Sequence, residues 1–355
     1  MRNQHGGDIT GYIRRFGEKP LDFSTSLNPL GMPKVALLAA HEAVDNSISY
    51  PDPFSRDLTE ALAQRLSIPE SYFIFGNGSA DIIYRFAIAT KPRKTLLPVP
   101  SFSEYECAVQ TVGSEIEYYY LQRENDFILT EDILPRITPE TDVLFLCQPN
   151  NPTGQLIDPG LLKAILDKCD ATETLLFMDE CFCPLVKNWE PYSLLETATT
   201  NQNIFILGSF TKLFGMAGLR LGFGLTANAE LRIHCTLAGQ PWSVSTVAQM
   251  AGLASLLDYA YLERSLDLIE SEKKKLAETL LNLGFTVLGS KANFIFFHAP
   301  VPGLDRVLAE NGIMIRNCNT FKGLVDGWYR IGIQKPEDNA VLIHTLTELA
   351  KRNYR

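Results

Sequence analysis

Between about residue 95 and residue 207 the chain alternates short apolar runs with helix-period segments, and this constrains its fold more than any other feature. The strand candidates are Thr95–Val99, Glu115–Leu121, Asp142–Cys147, Thr174–Met178 and Ile204–Leu207. Between several of them lie amphipathic stretches such as Ser103–Val112 and Pro159–Cys169. Strands that alternate with helices predict an α/β fold with a mainly parallel central sheet covered by helices. Sheets of that kind bind ligands beyond the carboxyl ends of their strands.

The flanks read differently. An N-terminal arm rich in Gly and Pro leads to helices near Lys34–Ser47 and Ser55–Ser67. After the alternating region comes a long helical stretch over Val244–Leu283, stopped by Gly284. Short strands at Thr286–Leu288, Phe294–His298 and Trp328–Ile333 and a terminal helix at Pro336–Lys351 complete the pattern. The expected organisation is a large domain over 46–283 and a small α+β domain formed by both chain ends. Of these ends, 1–45 supply the arm and part of the small domain and 284–355 the rest. A chain of 355 residues is long enough for both.

With 32 Lys and Arg against 41 Asp and Glu the net charge is −9, so neither nucleic acid nor an anionic membrane is an expected partner. A small anion held by a local cluster of donors remains compatible with that charge. No apolar run approaches the ~20 residues that span a bilayer, and Met1–Asp8 lacks the apolar core of a signal peptide, so the expected location is the cytoplasm. Seven cysteines form no C-x-x-C and five histidines are scattered, so no metal site is expected.

Chemistry-bearing residues cluster just beyond predicted strand ends. Asp179 ends the run Leu175–Met178, where a carboxylate needs a charged or hydrogen-bonding partner. Lys212 follows 33 residues later in Ser209-Phe210-Thr211-Lys212, after another strand, and Asn151 lies 28 residues before Asp179 in Asn150-Asn151-Pro152-Thr153-Gly154. Taken singly, each reads as a cap, a solvated lysine or a turn. Taken together, they converge on one crevice. The segment Gly76-Asn77-Gly78-Ser79-Ala80-Asp81 precedes a helix, whose first N–H groups can cradle an anion, and Arg220 with Ser209 and Thr211 can close that cradle.

The set Asn150–Gly154, Asp179-Glu180, Ser209-x-Thr211-Lys212 and Arg220 resembles pyridoxal-phosphate enzymes of the aspartate-aminotransferase fold, fold type I. The resemblance implies that Lys212 forms the internal aldimine, that Asp179 pairs with the protonated pyridine nitrogen, and that Asn151 bonds the cofactor's phenolic oxygen. It further implies that Gly78, Ser79, Ala80, Ser209, Thr211 and Arg220 hold the phosphate and that Phe102 stacks on the ring. Tyr50, in Tyr50-Pro51-Asp52-Pro53, resembles the tyrosine that reaches a neighbouring subunit's site, which implies a homodimer. Relatives often carry Tyr three residues after the aspartate, where this chain has Phe182.

Within that fold the chain resembles histidinol-phosphate aminotransferases in general. His5-Gly6-Gly7, Leu21–Ser24 and Asn28–Pro33 resemble the threonine-phosphate decarboxylases of cobalamin biosynthesis more particularly, in which an N-terminal arm folds over the active site. This resemblance implies a phosphorylated amino-acid substrate held by His5, Gly6, Asn28, Asn151, Arg316 and Arg330, with Arg330 on the carboxylate. The implied reaction is decarboxylation of L-threonine O-3-phosphate to (R)-1-amino-2-propanol phosphate. Alternatives are decarboxylation of L-serine O-phosphate and transamination of histidinol phosphate or a related compound. Ser209-x-x-Lys212 also matches the S-x-x-K of acylating hydrolases, but no S-D-N or K-T-G follows.

Overall fold

The computed structural model describes residues 5–301 and 303–353. A seven-stranded sheet forms the larger part. Its spatial order is Phe73–Asn77, Leu221–Leu225, Ile204–Ser209, Leu175–Asp179, Val143–Cys147, Lys94–Val99 and Glu115–Tyr120. All neighbours pair parallel except Leu221–Leu225, which runs antiparallel to both of its partners.

Period-2 alternation sorts the central strands onto two cores. Phe145, Phe177 and Phe205 face one side, where they meet Phe86 and the helices Ser79–Thr90, Ser103–Thr111 and Ala229–Leu237. Leu144, Leu146, Leu176, Met178, Ile204 and Ile206 face the other, under helices Pro159–Thr172, Arg56–Leu66 and Thr246–Leu257. Burying both faces requires the continuous apolar runs that the sequence shows.

Two strands of this sheet escape the sequence reading, Phe73–Asn77 and Leu221–Leu225. The second reads Leu-Gly-Phe-Gly-Leu, and glycines weaken the strand signal. Both glycines are there for space: a Cβ on Gly222 would lie 2.4 Å from the Ser79 nitrogen, and one on Gly224 would lie 2.4 Å from the Phe205 ring. The long helix expected over Val244–Leu283 is two, Thr246–Leu257 and Tyr259–Asn282. Asp258 breaks it at φ −85°, ψ 80°, because a short polar side chain is a poor helix-interior residue.

A second sheet, antiparallel, runs in the order Arg316–Asn317, Trp328–Gly332, Phe294–His298 and Thr286–Leu288. Its apolar residues pack with Ile269, Leu276 and Leu280 of Tyr259–Asn282 and with Leu342 and Leu346 of Pro336–Asn353. The chain's start joins this unit. Leu21–Asp22 pairs parallel with Ile313–Met314, and the Gly332 amide donates to the Phe23 carbonyl at 2.8 Å. Among the described residues, no helix is long and apolar enough to cross a membrane.

Candidate active site

A cavity of about 460 Å³ opens at the carboxyl ends of the central strands, within the range of small-molecule sites. Asp179 closes its own strand in register with Cys147 and Leu207, and is 5% exposed. Its Oδ1 accepts from the Cys181 amide at 2.9 Å and its Oδ2 from the Tyr105 hydroxyl at 2.5 Å. Burial pushes the Asp179 carboxyl up, against the pull of these donors. Tyr105 is itself fully buried and stacks on Phe145 at 5.4 Å, so its hydroxyl is the polar tip of the phenylalanine layer beneath the sheet.

Lys212 sits in the short helix Phe210–Leu213 that follows strand Ile204–Ser209, and its ammonium lies 5.6 Å from the Phe182 ring centroid. Burial, with Arg330 and Arg220 nearby, lowers its pKa to about 8. More of it is therefore neutral and nucleophilic near neutral pH than of an ordinary lysine. The Lys212 carbonyl accepts from the Asn28 amide at 3.1 Å, which fixes the turn carrying the side chain.

The anion cradle is assembled from three segments. Gly78 caps helix Ser79–Thr90 at φ 83°, and the first-turn N–H groups of Ser79 and Ala80 lie beyond the helix's own hydrogen-bond ladder. The Arg220 guanidinium lies so close to Gly78 that a Cβ there would be 2.4 Å from its Nη2. Ser79 Oγ donates to the Gly208 carbonyl at 3.0 Å, and Ser209 and Thr211 complete that wall.

Arg316 and Arg330 occupy the opposite wall. They are 9% and 8% exposed and pair directly across the antiparallel ladder. Arg330 Nη1 donates to Asn151 Oδ1 at 2.5 Å and Nη2 to the Ser24 carbonyl at 3.4 Å, while its buried Nε has no partner. Burial lowers Arg330 to about 10 and also lowers Arg316. Among the described residues Arg330 forms no ion pair, so this wall holds buried positive charge that an anionic ligand would satisfy.

The arm completes the enclosure. His5 and Gly6 line the cavity, and His5 Nε2 lies 2.8 Å from Glu104 Oε1. Gly6 rests on Ser24 so tightly that a Cβ would lie 2.3 Å from the Ser24 carbonyl oxygen. The Gly7 amide donates to Ser24 Oγ at 2.8 Å, and Tyr12 of helix Ile9–Phe16 donates to the Ala309 carbonyl at 2.5 Å.

Residues 18–346 match the family aminotransferase class I and II. The chain belongs to that family. It is 33% identical over 352 residues to a threonine-phosphate decarboxylase of Salmonella typhimurium, covering 98% of this chain and 96% of that one. Among solved structures it is similar to the histidinol-phosphate aminotransferase of Clostridium acetobutylicum, with a TM-score of 0.87 and 30% identity over 94% of this chain and 99% of that one. It also shares the fold of the Sinorhizobium meliloti histidinol-phosphate aminotransferase solved with pyridoxal-5′-phosphate, at a TM-score of 0.87 and 20% identity over 98% and 95% of the two chains.

In this aminotransferase-family chain the cavity gathers His5, Gly6, Ser79, Ala80, Phe102, Asn151, Asp179, Ser209, Thr211, Lys212, Arg220, Arg316 and Arg330 of the residues expected from sequence. Three expected residues lie elsewhere. Asn28 is a correction: its amide nitrogen donates to the Leu213 carbonyl at 2.8 Å and to Ser265 Oγ at 2.7 Å, so it braces the Lys212 turn and does not face a substrate. Gly78 acts from behind the cradle, as the surface against which Arg220 packs. Tyr50 is 79% exposed and stacks on Trp242 at 4.5 Å, outside this chain's cavity. Glu104, Tyr105 and Cys181 are not among the residues expected from sequence, and Ser24 ends the motif Leu21–Ser24 without being expected at the site.

Proposed function

We propose that this chain is a pyridoxal-phosphate-dependent decarboxylase of L-threonine O-3-phosphate, forming (R)-1-amino-2-propanol phosphate for cobalamin biosynthesis. The observation that carries the substrate reading is the buried Arg316–Arg330 pair, which faces the same cavity as a separate anion cradle at Ser79 and Arg220. Two anion sites suit a cofactor phosphate on one wall and a substrate bearing both carboxylate and phosphate on the other. The similar Salmonella enzyme is named for that substrate.

The residues fit the cofactor. Lys212, Asp179, Ser79, Ala80 and Arg220 line one cavity, where Lys212 Nζ would bond the cofactor covalently, Asp179 would pair with its ring nitrogen, and the Ser79–Ala80 helix start with Arg220 would take its phosphate. When bound, pyridoxal phosphate supplies a sink for the electron pair released when a bond to the substrate's Cα breaks. Burial raises the Asp179 carboxyl, and a cation held against it would pull it back down. Because Asn151 Oδ1 accepts from Arg330, its Nδ2 would be left to donate to the cofactor's phenolic oxygen, a contact that Phe182 has no hydroxyl to share.

Arg330, whose guanidinium carries no ion pair among the described residues, would bind the substrate carboxylate, and Arg316 with His5 and Gly6 would take the phosphate. The arm, seated on Ser24, excludes water while CO₂ leaves. Lys212 Nζ, which lines the same cavity, would return a proton to Cα after CO₂ has left. The protein works as a cytoplasmic homodimer in which Tyr50 reaches the neighbouring site, a reading supported by its exposure on a face that also bares Ile48 and Phe54.

The similarity to a histidinol-phosphate aminotransferase favours transamination as a second reading. Incubating the holoenzyme with threonine phosphate, serine phosphate and histidinol phosphate, each with and without a 2-oxo acid, decides between them. The expected result is CO₂ and aminopropanol phosphate from threonine phosphate with no need for the oxo acid. Oxo-acid-dependent amino transfer without CO₂ overturns the proposal. Lys212→Ala is expected to abolish both turnover and borohydride-fixable cofactor attachment.

A further inference from the structure

Among the described residues that line the cavity, only Asp179 and Glu104 are carboxylates. Asp179 has its task. Glu104 does not, and a second negative charge facing Lys212, Arg220, Arg316 and Arg330 opposes an anionic substrate unless something stands between them.

His5 stands there. Glu104, 18% exposed, accepts from His5 Nε2 at 2.8 Å through Oε1 and from the Tyr84 hydroxyl at 3.0 Å through Oε2. Both carboxylate oxygens are engaged, and the His5 hydrogen bond leads the causes that hold the Glu104 carboxyl below its ordinary range. The same pairing pushes the Tyr84 hydroxyl, already raised by burial, up to about 12. The His5 ring also rests against Phe102 at 5.7 Å, so the imidazole is held by a wall and a carboxylate.

A histidine gripped by a carboxylate at one nitrogen has its ring orientation and proton position set by that contact.

We propose that Glu104 is the positioning residue of the N-terminal arm, orienting the His5 ring toward the substrate's phosphate, with Tyr84 steadying the carboxylate from behind. The inference rests on the decarboxylase reading for the identity of the phosphorylated ligand. It assigns to the segment Phe102–Tyr105 three successive tasks: a cofactor wall at Phe102, the grip on the arm at Glu104 and the grip on Asp179 at Tyr105.

The test is a double-mutant cycle on ligand binding. Holoenzyme is titrated with threonine phosphate and, separately, with L-threonine, following the cofactor's absorbance, for wild type, His5→Ala, Glu104→Gln and the double variant. Each single change is expected to weaken threonine phosphate binding about ten-fold, with the double variant no weaker than His5→Ala and with threonine affinity unmoved. Tyr84→Phe, which leaves the carboxylate in place, is expected to give a smaller loss that also vanishes in the His5→Ala background. Additive losses, or equal losses for threonine and its phosphate, overturn the proposal. Release of CO₂ from threonine phosphate is scored separately. Coupled binding without CO₂ sinks the decarboxylase reading alone, and CO₂ with an additive cycle sinks this inference alone.

Discussion

Arg316 and Arg330 are directly paired residues on adjacent antiparallel strands, two buried cations side by side at the wall of one cavity. Like charges in that position are unfavourable, and Arg330, which forms no ion pair among the described residues, carries an uncompensated desolvation cost. The arrangement therefore stores destabilisation that an anionic ligand relieves. Arg330→Met is expected to raise the thermal midpoint of the ligand-free protein by a few degrees while lowering kcat/KM by about 10²-fold or more. Threonine phosphate should raise the wild-type midpoint and leave the variant's unchanged. An undiminished kcat/KM in Arg330→Met would refute this account of the site.

Lys212 gives a pH signature in the cofactor-free protein. Its pKa is about 8 in the fold against an ordinary 10.5, so between those values the unfolded chain binds the extra proton. Stability contributed through this group consequently rises with pH across that window, and below pH 8 the full penalty of a buried ammonium applies. Relative to Lys212→Met, the wild type should gain on the order of 2 kcal/mol between pH 8 and pH 10.5 in urea unfolding. A flat difference between the two proteins over that range contradicts the shift.

Removing the Tyr105 hydroxyl strips Asp179 Oδ2 of its donor while leaving the ring in the aromatic layer. Tyr105→Phe is expected to cost about 1–2 kcal/mol of stability and to push the Asp179 carboxyl further up. With less of the carboxylate ionised against the cofactor ring, pyridoxal phosphate should dissociate more readily, measurable by absorbance titration of the apoprotein. Unchanged cofactor affinity counts against Asp179 as the ring's partner.

Two glycines separate the halves of the site. A Cβ at Gly6 meets the Ser24 carbonyl oxygen at 2.3 Å, and one at Gly222 meets the Ser79 nitrogen at 2.4 Å. Gly6→Ala should lift the arm and raise KM for substrate with cofactor affinity intact. Gly222→Ala should distort the cradle and weaken cofactor binding first. Equilibrium dialysis with pyridoxal phosphate, alongside initial-rate kinetics, distinguishes the two patterns.

Much of the sheet is legible because fully buried strands leave unbroken apolar runs. Val143–Cys147, Leu175–Asp179 and Ile204–Ser209 lie within one or two residues of where the sequence puts them. Leu221–Leu225 is illegible because its two glycines answer contacts from Ser79 and Phe205, which no local pattern records. The residues at strand ends, Asn151, Asp179 and Lys212, announce themselves through motif spacing. Tyr105 and Glu104 do not: they lie on a helix whose placement against Asp179 and the arm is a product of long-range packing. Asn28 misleads for the opposite reason, since it sits in a stretch that resembles a substrate-binding segment while its amide is spent on Leu213 and Ser265.

The cavity's two walls come from different parts of the chain. The cradle, Asp179 and Lys212 belong to the ends of the large sheet, whereas Arg316, Arg330, Ser24 and the arm belong to the small sheet and the strap pinned to it by Tyr12 and Gly332. Inheritance can act on these walls independently. A duplicated copy of such a chain can exchange its diet by redrawing the arm and two short strands, while the catalytic engine passes unaltered between descendants.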